Sequence, residues 1–197
     1  QGIPEEMYQE FLQDISSEID RENKIITDLL SLVKMNKKAA NLNMEPKNIN
    51  TLVEGILKRL NPIAEKKNVE LFVENICDIT ADVDEVKFTL AITNLVENGI
   101  KYNVDGGWVR VILDADHKYF YVTVKDSGVG IPEEAQEKIF ERFYRVDKSH
   151  SREIGGTGLG LAITKDAISK HHGMIKVDST EGVGTTFSVR VPLSYIH

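Results

Sequence analysis

Asn94, Asn98 and Lys101 follow one another at separations of four and three residues in a helix-forming stretch. At about 100° per residue that spacing puts all three on one face, while Phe88, Ile92 and Leu95 define a different, apolar one. Asparagine is a mediocre helix former, so two on one stripe need an explanation other than propensity. A solvated face is one explanation. The other is chemical: a carboxamide oxygen is a hard ligand that can complete magnesium's octahedron beside phosphate oxygens and water, and a lysine can lie against phosphate as a point charge.

Three further patterns carry chemistry of the same kind. In DSGVGIP, residues 126–132, a strand rich in Val and Tyr ends on Asp126 and turns on Gly128 and Gly130. An ionised carboxylate only accepts hydrogen bonds, so in a pocket it favours a ring with an exocyclic amino group; an ordinary Asp-initiated turn before a helix opened by Pro132 is the alternative. In GGTGLGLAI, residues 155–163, four glycines in six positions run into a helix. They suit a flexible loop, or backbone N–H groups gathered around an anion at a helix N-terminus. Finally, Phe140, Arg142, Phe143, Tyr144 and Arg145 interleave aromatic and basic residues ahead of Lys148, His150 and Arg152, and arginines there suit a polyphosphate.

The elements that must position these groups are legible in outline. Pro4 to Asn36 reads as one long helix whose Tyr8, Leu12, Ile15, Ile19, Glu22, Ile26, Leu29 and Val33 form a heptad seam, widened by Met7, Phe11, Ile25, Leu30 and Leu32. Such a seam expects more than one neighbour, or docks on its own domain. Residues 37–50 are polar, contain Pro46 and suit a boundary, which divides the chain into residues 1–38 and 39–197. A helix is expected from about Asn50 to Lys67, shortened or kinked by Pro62. A strand follows in VELFVEN, then a helix capped by Asp82 or Asp84 and running to about Tyr102. Trp108–Leu113 and Tyr119–Lys125 form a hairpin. Then come a helix from about Pro132 to Phe140, the helix behind GGTGLG, and closing strands near 174–179 and 185–192. The mixture predicts an α+β fold: a mixed, mainly antiparallel sheet covered by helices on one face.

Composition narrows the function. The 197 residues are 41% hydrophobic and 28% charged with a formal charge of −7, which suits a globular chain and argues against a general nucleic-acid binder. A single Cys77 leaves no intramolecular disulfide and no zinc cluster, and fits a reducing compartment. No run approaches the roughly 20 apolar residues that span a bilayer.

Taken in order, these segments resemble the sequence boxes of the catalytic ATP-binding domain of bacterial sensor histidine kinases, in the GHKL ATPase superfamily. NLVENGIKYN resembles the N box, DSGVGIP the first glycine box, IFERFYR the F box, GGTGLGLAI the second glycine box and EGVGTTF the third. The resemblance covers nearly the whole chain. It implies a helix-over-mixed-sheet sandwich holding ATP beneath a lid of about Val146 to Thr157. It implies magnesium on Asn98, phosphate contacts from Asn94, Lys101 and Arg142 or Arg145, an adenine-side contact from Tyr102, and recognition of the adenine amino group by Asp126. Gly128, Gly130 and Ile131 are implied beside the base, Gly156, Thr157, Gly158, Leu159 and Gly160 over the triphosphate, and Thr186 as the third box's contribution. ATP and Mg2+ are thus the implied cofactors, a response-regulator receiver domain the implied partner, and a homodimeric parent anchored in the bacterial inner membrane, with this domain cytoplasmic, the implied setting.

Two departures qualify the expected activity. Superfamily members that hydrolyse ATP resemble one another in placing Glu four residues before the metal Asn, where it activates water. Asn94 stands there in this chain, and an amide is no general base at neutral pH. Glu97 lies about 60° away around the helix. Phosphotransfer is therefore expected in preference to hydrolysis. The family's acceptor, a His followed by Glu or Asp and Thr-Pro on a first helix, matches none of His117, His150, His171, His172 and His197. The long first helix resembles the second helix of that dimerisation module, so the chain is expected to begin after the acceptor and to be unable to phosphorylate itself. A partner-sequestering binding module like the related anti-sigma serine kinases, and an ATP fold kept only for dimerisation, are the competing readings. The heptad-seamed helix weighs against the first, and the intact Asn98, Asp126 and glycine boxes against the second. His172 stands where the family often has Gly, and Gly99 where Ala is commoner.

Overall fold

The computed structural model describes residues 5–36, 42–146 and 156–195. The sequence boundary at residues 38 and 39, and lid residues 147–155, lie outside the described residues. The chain opens with helix α1 (Glu5–Asn36). Its Tyr8, Leu12, Ile15, Ile19 and Ile26 are exposed, as are Met7, Phe11 and Leu30, so this apolar stripe is not consumed by the domain that follows. No helix among the described residues is long and apolar enough to cross a membrane.

Strand β1 (Met44–Asn48) pairs antiparallel with β3 (Thr80–Asp84), and this two-stranded unit departs from the sequence reading. Residues 44–48 were expected to belong to a polar boundary. Their ladder is short enough to accept Pro46, and the alternation in β3 rests on Ala81 and Val83, small apolar residues set among carboxylates. Helix α2 (Ile49–Lys66) is capped by Asn48, whose side chain accepts from Thr51 N–H at 2.8 Å. Pro62 neither shortens nor breaks it. The stripe Val53, Ile56, Leu57, Leu60 and Ala64 anchors both sides of the proline, and the Lys58 carbonyl that loses its donor belongs to the exposed face.

The main sheet has five strands in the order β2–β4–β5–β7–β6, formed by β2 (Glu70–Asn75), β4 (Trp108–Ala115), β5 (Tyr119–Asp126), β6 (Met174–Thr180) and β7 (Gly184–Pro192). Only β2–β4 is parallel, because the chain between them detours through β3 and helix α3 (Glu85–Lys101). Alternate residues Val109, Val111, Leu113, Phe120, Val122, Val124, Phe187, Val189 and Val191 are buried against helices α2, α3 and α5 (Gly160–Lys170). The expected helix over 132–140 is only a turn long, α4 (Glu133–Gln136). The chain then tightens through Lys138 N–H to Ala135 O and Glu141 N–H to Lys138 O, which leaves Ile139 buried and Phe140 packed on the core.

Asp84, and not Asp82, caps α3: its side chain accepts from Lys87 N–H at 3.0 Å and Lys87 Nζ at 2.6 Å. Its own N–H donates to His171 Nε2 at 2.9 Å, across the core from the end of α5. His171 Nδ1 lies 2.7 Å from Ala167 O, so the ring is neutral with its proton on Nδ1. Burial holds His171 below the usual imidazole pKa. With a lowered folded pKa, its contribution is complete above the unfolded value near 6.5 and is lost as pH falls through the folded one. His171→Phe keeps a ring against Phe88 but leaves Asp84 N–H without an acceptor. It is expected to cost about 1–3 kcal/mol at pH 7.5, with the gap to wild type narrowing as the pH is lowered below 6 in urea titrations.

Candidate functional site

A cavity of about 500 Å³ opens between α3, the loop after β5 and the chain leading into α5. Helix α3 buries Phe88, Ala91, Ile92, Leu95, Val96, Gly99 and Ile100, so Asn94, Glu97, Asn98 and Lys101 are left to line that cavity. The stripe expected to be polar therefore faces a concave wall. Asn94 Nδ2 donates to Gly160 O at 3.2 Å and reaches Thr164 Oγ1 at 3.5 Å, joining α3 to the start of α5. Asn98's carboxamide makes no hydrogen bond among the described residues, so its oxygen remains open to the cavity.

Asp126, 8% exposed, closes another wall. Its Oδ1 accepts from Gly128 N–H at 2.8 Å and Thr185 N–H at 3.3 Å, while Oδ2 takes no donor among the described residues. Burial raises the carboxyl above its ordinary pKa, against the two backbone bonds that pull it down. A buried acceptor with one vacant oxygen beside apolar Val129, Ile131 and Phe187 suits the amino edge of a planar base. Gly99 lets α3 approach this wall, since a Cβ there would stand 3.1 Å from Val109 Cγ2 and 3.4 Å from Asp126 Cβ.

The glycine segments divide between lining and bracing. Gly130, at φ +72°, lines the cavity with its Cα against the Thr180 carbonyl, so a side chain fits neither the backbone angle nor the space. Gly128 is packed on the Tyr102 carbonyl and is a brace outside the lining. Gly158, at φ +70°, lies on the backbone of Phe143, and Phe143 N–H donates to Gly158 O at 2.9 Å. Arg145 Nη1 donates to Gly156 O at 2.6 Å. The F-box segment and the glycine segment are thus cross-linked by one backbone bond and one side-chain bond to backbone. Lys101 Nζ lies 2.6 Å from where a Gly156 Cβ would be, bringing two cations to the same wall.

Of the residues singled out from sequence, Asn94, Asn98, Lys101, Tyr102, Asp126, Gly130, Ile131, Arg145, Gly156, Thr157, Gly158 and Gly160 line the cavity. Four do not. Arg142 is exposed beyond it; Gly128 braces it; Leu159 is buried in its own small cluster with Ile163; and Thr186 faces the opposite side of β7. Thr185 is the lining residue, as the period-2 alternation against buried Phe187 could have shown. Glu97, set 60° aside by helical geometry, also lines the cavity, as does Glu181 from the β6–β7 turn. Asp126→Asn conserves both backbone bonds and removes the buried charge. Because folding raises this carboxyl's pKa, wild type loses stability as pH rises through the folded value. The variant is expected to melt higher at pH 7, with the difference vanishing toward pH 3 in thermal melts.

The model of the histidine kinase-, DNA gyrase B-, and HSP90-like ATPase family matches residues 83–195. Sensor histidine kinase WalK of Bacillus subtilis (strain 168) is 38% identical over 186 residues, 92% of this chain but 30% of that protein. A sensor protein kinase WalK of Staphylococcus aureus is 35% identical over 196 residues, 98% of this chain and 46% of that protein. The chain therefore spans less than half the length of these curated relatives. The solved catalytic domain of histidine kinase ThkA superposes with a TM-score of 0.69 at 27% identity, covering 77% of this chain and 97% of that one. On this match, and on an α+β fold whose described boxes meet around one cavity, the chain belongs to the histidine kinase-, DNA gyrase B-, and HSP90-like ATPase family.

Proposed function

We propose that this chain is the ATP-binding catalytic core of a two-component protein-histidine kinase. Asp126 Oδ2 carries the reading: it is the open oxygen of a buried carboxylate residue, without a donor among the described residues, and that residue lines a cavity also lined by Lys101, Arg145 and the N-terminus of α5. Adenine's amino group supplies the missing donor, and the cations and helix N-terminus take the phosphates. No group of three or more His, Cys, Asp or Glu among the described residues could cage a metal. Asn98 would hold magnesium together with a bound nucleotide, and the ion would there neutralise phosphate charge.

The γ-phosphoryl group goes to a histidine on an acceptor helix, for relay to a response-regulator aspartate. Of this chain's own histidines, His171 is a poor acceptor, being buried with both ring nitrogens engaged, and His172 stacks on Tyr195 with centroids 4.7 Å apart. The exposed stripe of α1 supports a homodimeric parent in which a second helix pair covers it. Catalysis is by placement and charge, since phosphoryl transfer asks for little covalent chemistry from the protein. Asn94 supports transfer over hydrolysis, because its amide is spent on Gly160 and Thr164 and cannot accept water's proton.

Calorimetric titration with Mg-ATP tests the pocket. Binding is expected, and Asp126→Asn is expected to weaken it by about tenfold or more, the worth of one hydrogen bond to a charged group. Asn98→Ala is expected to remove the magnesium dependence. A separately made helix pair carrying the acceptor His is expected to take label from γ-labelled ATP. Rapid phosphate release without an acceptor, abolished by Glu97→Gln, would instead make the chain an ATPase.

A further inference from the structure

Asn103 and Ser127 stand outside the cavity lining, yet they join two of its walls. Asn103 follows the C-cap of α3, and its Nδ2 donates back to Gly99 O at 2.8 Å and across to Trp108 O, at the start of β4, at 3.0 Å. Its Oδ1 accepts from Val104 N–H at 3.0 Å and from Ser127 Oγ at 3.1 Å. Ser127 Oγ in turn accepts from Trp108 N–H at 2.9 Å, and Ser127 directly follows Asp126. The partners force the orientation of the amide, because exchanging its two ends would set N–H groups against Val104 N–H and an oxygen against two carbonyls. The whole carboxamide is thus spent on three segments: the end of α3 with the chain leaving it, the start of β4 and the turn after β5. Gly107 leaves room for it, since a Cβ there would collide with Asn103 Oδ1.

Asn98 and Lys101 line the cavity from the last turns of α3, and Asp126 lines it from the end of β5. On the nucleotide reading of the cavity, on which this inference rests, the first two take the phosphates and Asp126 the base. We propose that Asn103 is a positioning residue that fixes the separation of these two walls, so that one nucleotide meets both at once. A backbone bond from Val129 N–H to Tyr102 O, 3.0 Å, also joins them, but a single contact leaves the helix end free to pivot. The carboxamide adds two more points, Trp108 O and Ser127 Oγ, and so removes the pivot. Each wall keeps its own bonds without Asn103: Asp126 is held by Gly128 and Thr185, and α3 by its cap at Asp84 and by the contact of Asn94 with α5. Losing Asn103 therefore loosens the spacing and leaves the walls themselves in place.

The test compares a nucleotide with its two halves. Calorimetry on the whole chain gives the affinity for Mg-ATP, and NMR shift titrations, which read weak binding, give those for adenosine and for Mg-tripolyphosphate, each of which needs one wall. Joining the halves gains affinity only as far as the walls stand at the right separation. In Asn103→Ala, Mg-ATP is expected to bind about tenfold more weakly, while adenosine and tripolyphosphate each change by less than about twofold. A role in folding alone would weaken all three alike. Ser127→Ala, which cuts the link to the Asp126 turn and spares the Asn103 bonds to Gly99 and Trp108, is expected to weaken Mg-ATP selectively by about threefold. It carries the same comparison if Asn103→Ala does not fold. Unchanged Mg-ATP affinity in the folded variant, or an equal loss for all three ligands, overturns the proposal and leaves the nucleotide site standing, whereas no Mg-ATP binding by wild type overturns the reading beneath it.

Discussion

A carboxylate held in the protein interior with one oxygen satisfied and the other open is the constraint around which the domain is arranged. Asp126 Oδ1 is held by Gly128 and Thr185, and Oδ2 is left for something else. Keeping a charged group so placed is costly, and the surroundings are built to hold it. Gly99 admits α3 to its flank, and Gly128 folds the following loop onto the Tyr102 carbonyl. Ser179 and Gln136 clamp that loop to the sheet from the other side. The raised pKa of Asp126 records that these supports do not fully offset burial. Stability given up at one residue in this way is ordinary for a binding site.

The second organising contact joins the two helices that flank the cavity. At one end of α3, Asp84 N–H meets His171 at the end of α5; further along, Asn94 meets Gly160 and Thr164 at its beginning, and Thr164 Oγ1 reaches Ala91 O at 3.4 Å. The helices are tied at both ends by polar contacts, with Phe88 packed between Phe120 and His171 at ring distances of 5.6 and 6.3 Å. Directional bonds set the distance between α3 and α5, whose Asn94 and Gly160 both line the cavity, where apolar packing alone would tolerate sliding. A site for a charged ligand gains from such fixed walls, because charge stabilisation is worth most when no group has to move.

Much of this arrangement was legible because single residues announce it. The i, i+4, i+7 stripe of Asn94, Asn98 and Lys101 could be placed on one face by helical geometry alone, and glycines ahead of a helix mark where backbone must come close. The parts that escaped depend on partners remote in sequence. Nothing near Met44–Asn48 shows that it pairs with Thr80–Asp84, since β-ladders are made by long-range neighbours and Pro46 argues against a strand locally. The third glycine box points to Thr186, but Thr185 lines the cavity, because within a Thr-Thr pair a one-residue slip reverses the face. Arg142 and Arg145 are equivalent as residue types; only the turn that follows α4 directs one outward and the other into the wall. His172 shows the converse. It occupies a left-handed conformation, φ +56°, where glycine is easier, and its stacking on Tyr195 supplies a contact glycine lacks.

The two glutamates in the cavity wall bear on what the site can do with a ligand. A general base must reach the attacking water, and the helix offers two positions for one: that of Asn94, and that of Glu97 three residues on. At Asn94 the side chain is an amide whose hydrogens are engaged with α5, so it braces the cavity wall and accepts no proton. Glu97 has the right chemistry, but its direction on the helix differs from that of Asn94 by about 60°. Glu181 comes from the β6–β7 turn, on the side of Gly130. The carboxylates thus stand on either side of the position from which related hydrolases activate water, and an amide fills it. Under the proposed kinase reading, a nucleotide held in such a site would keep its terminal phosphoryl group until an acceptor with its own nucleophile arrives.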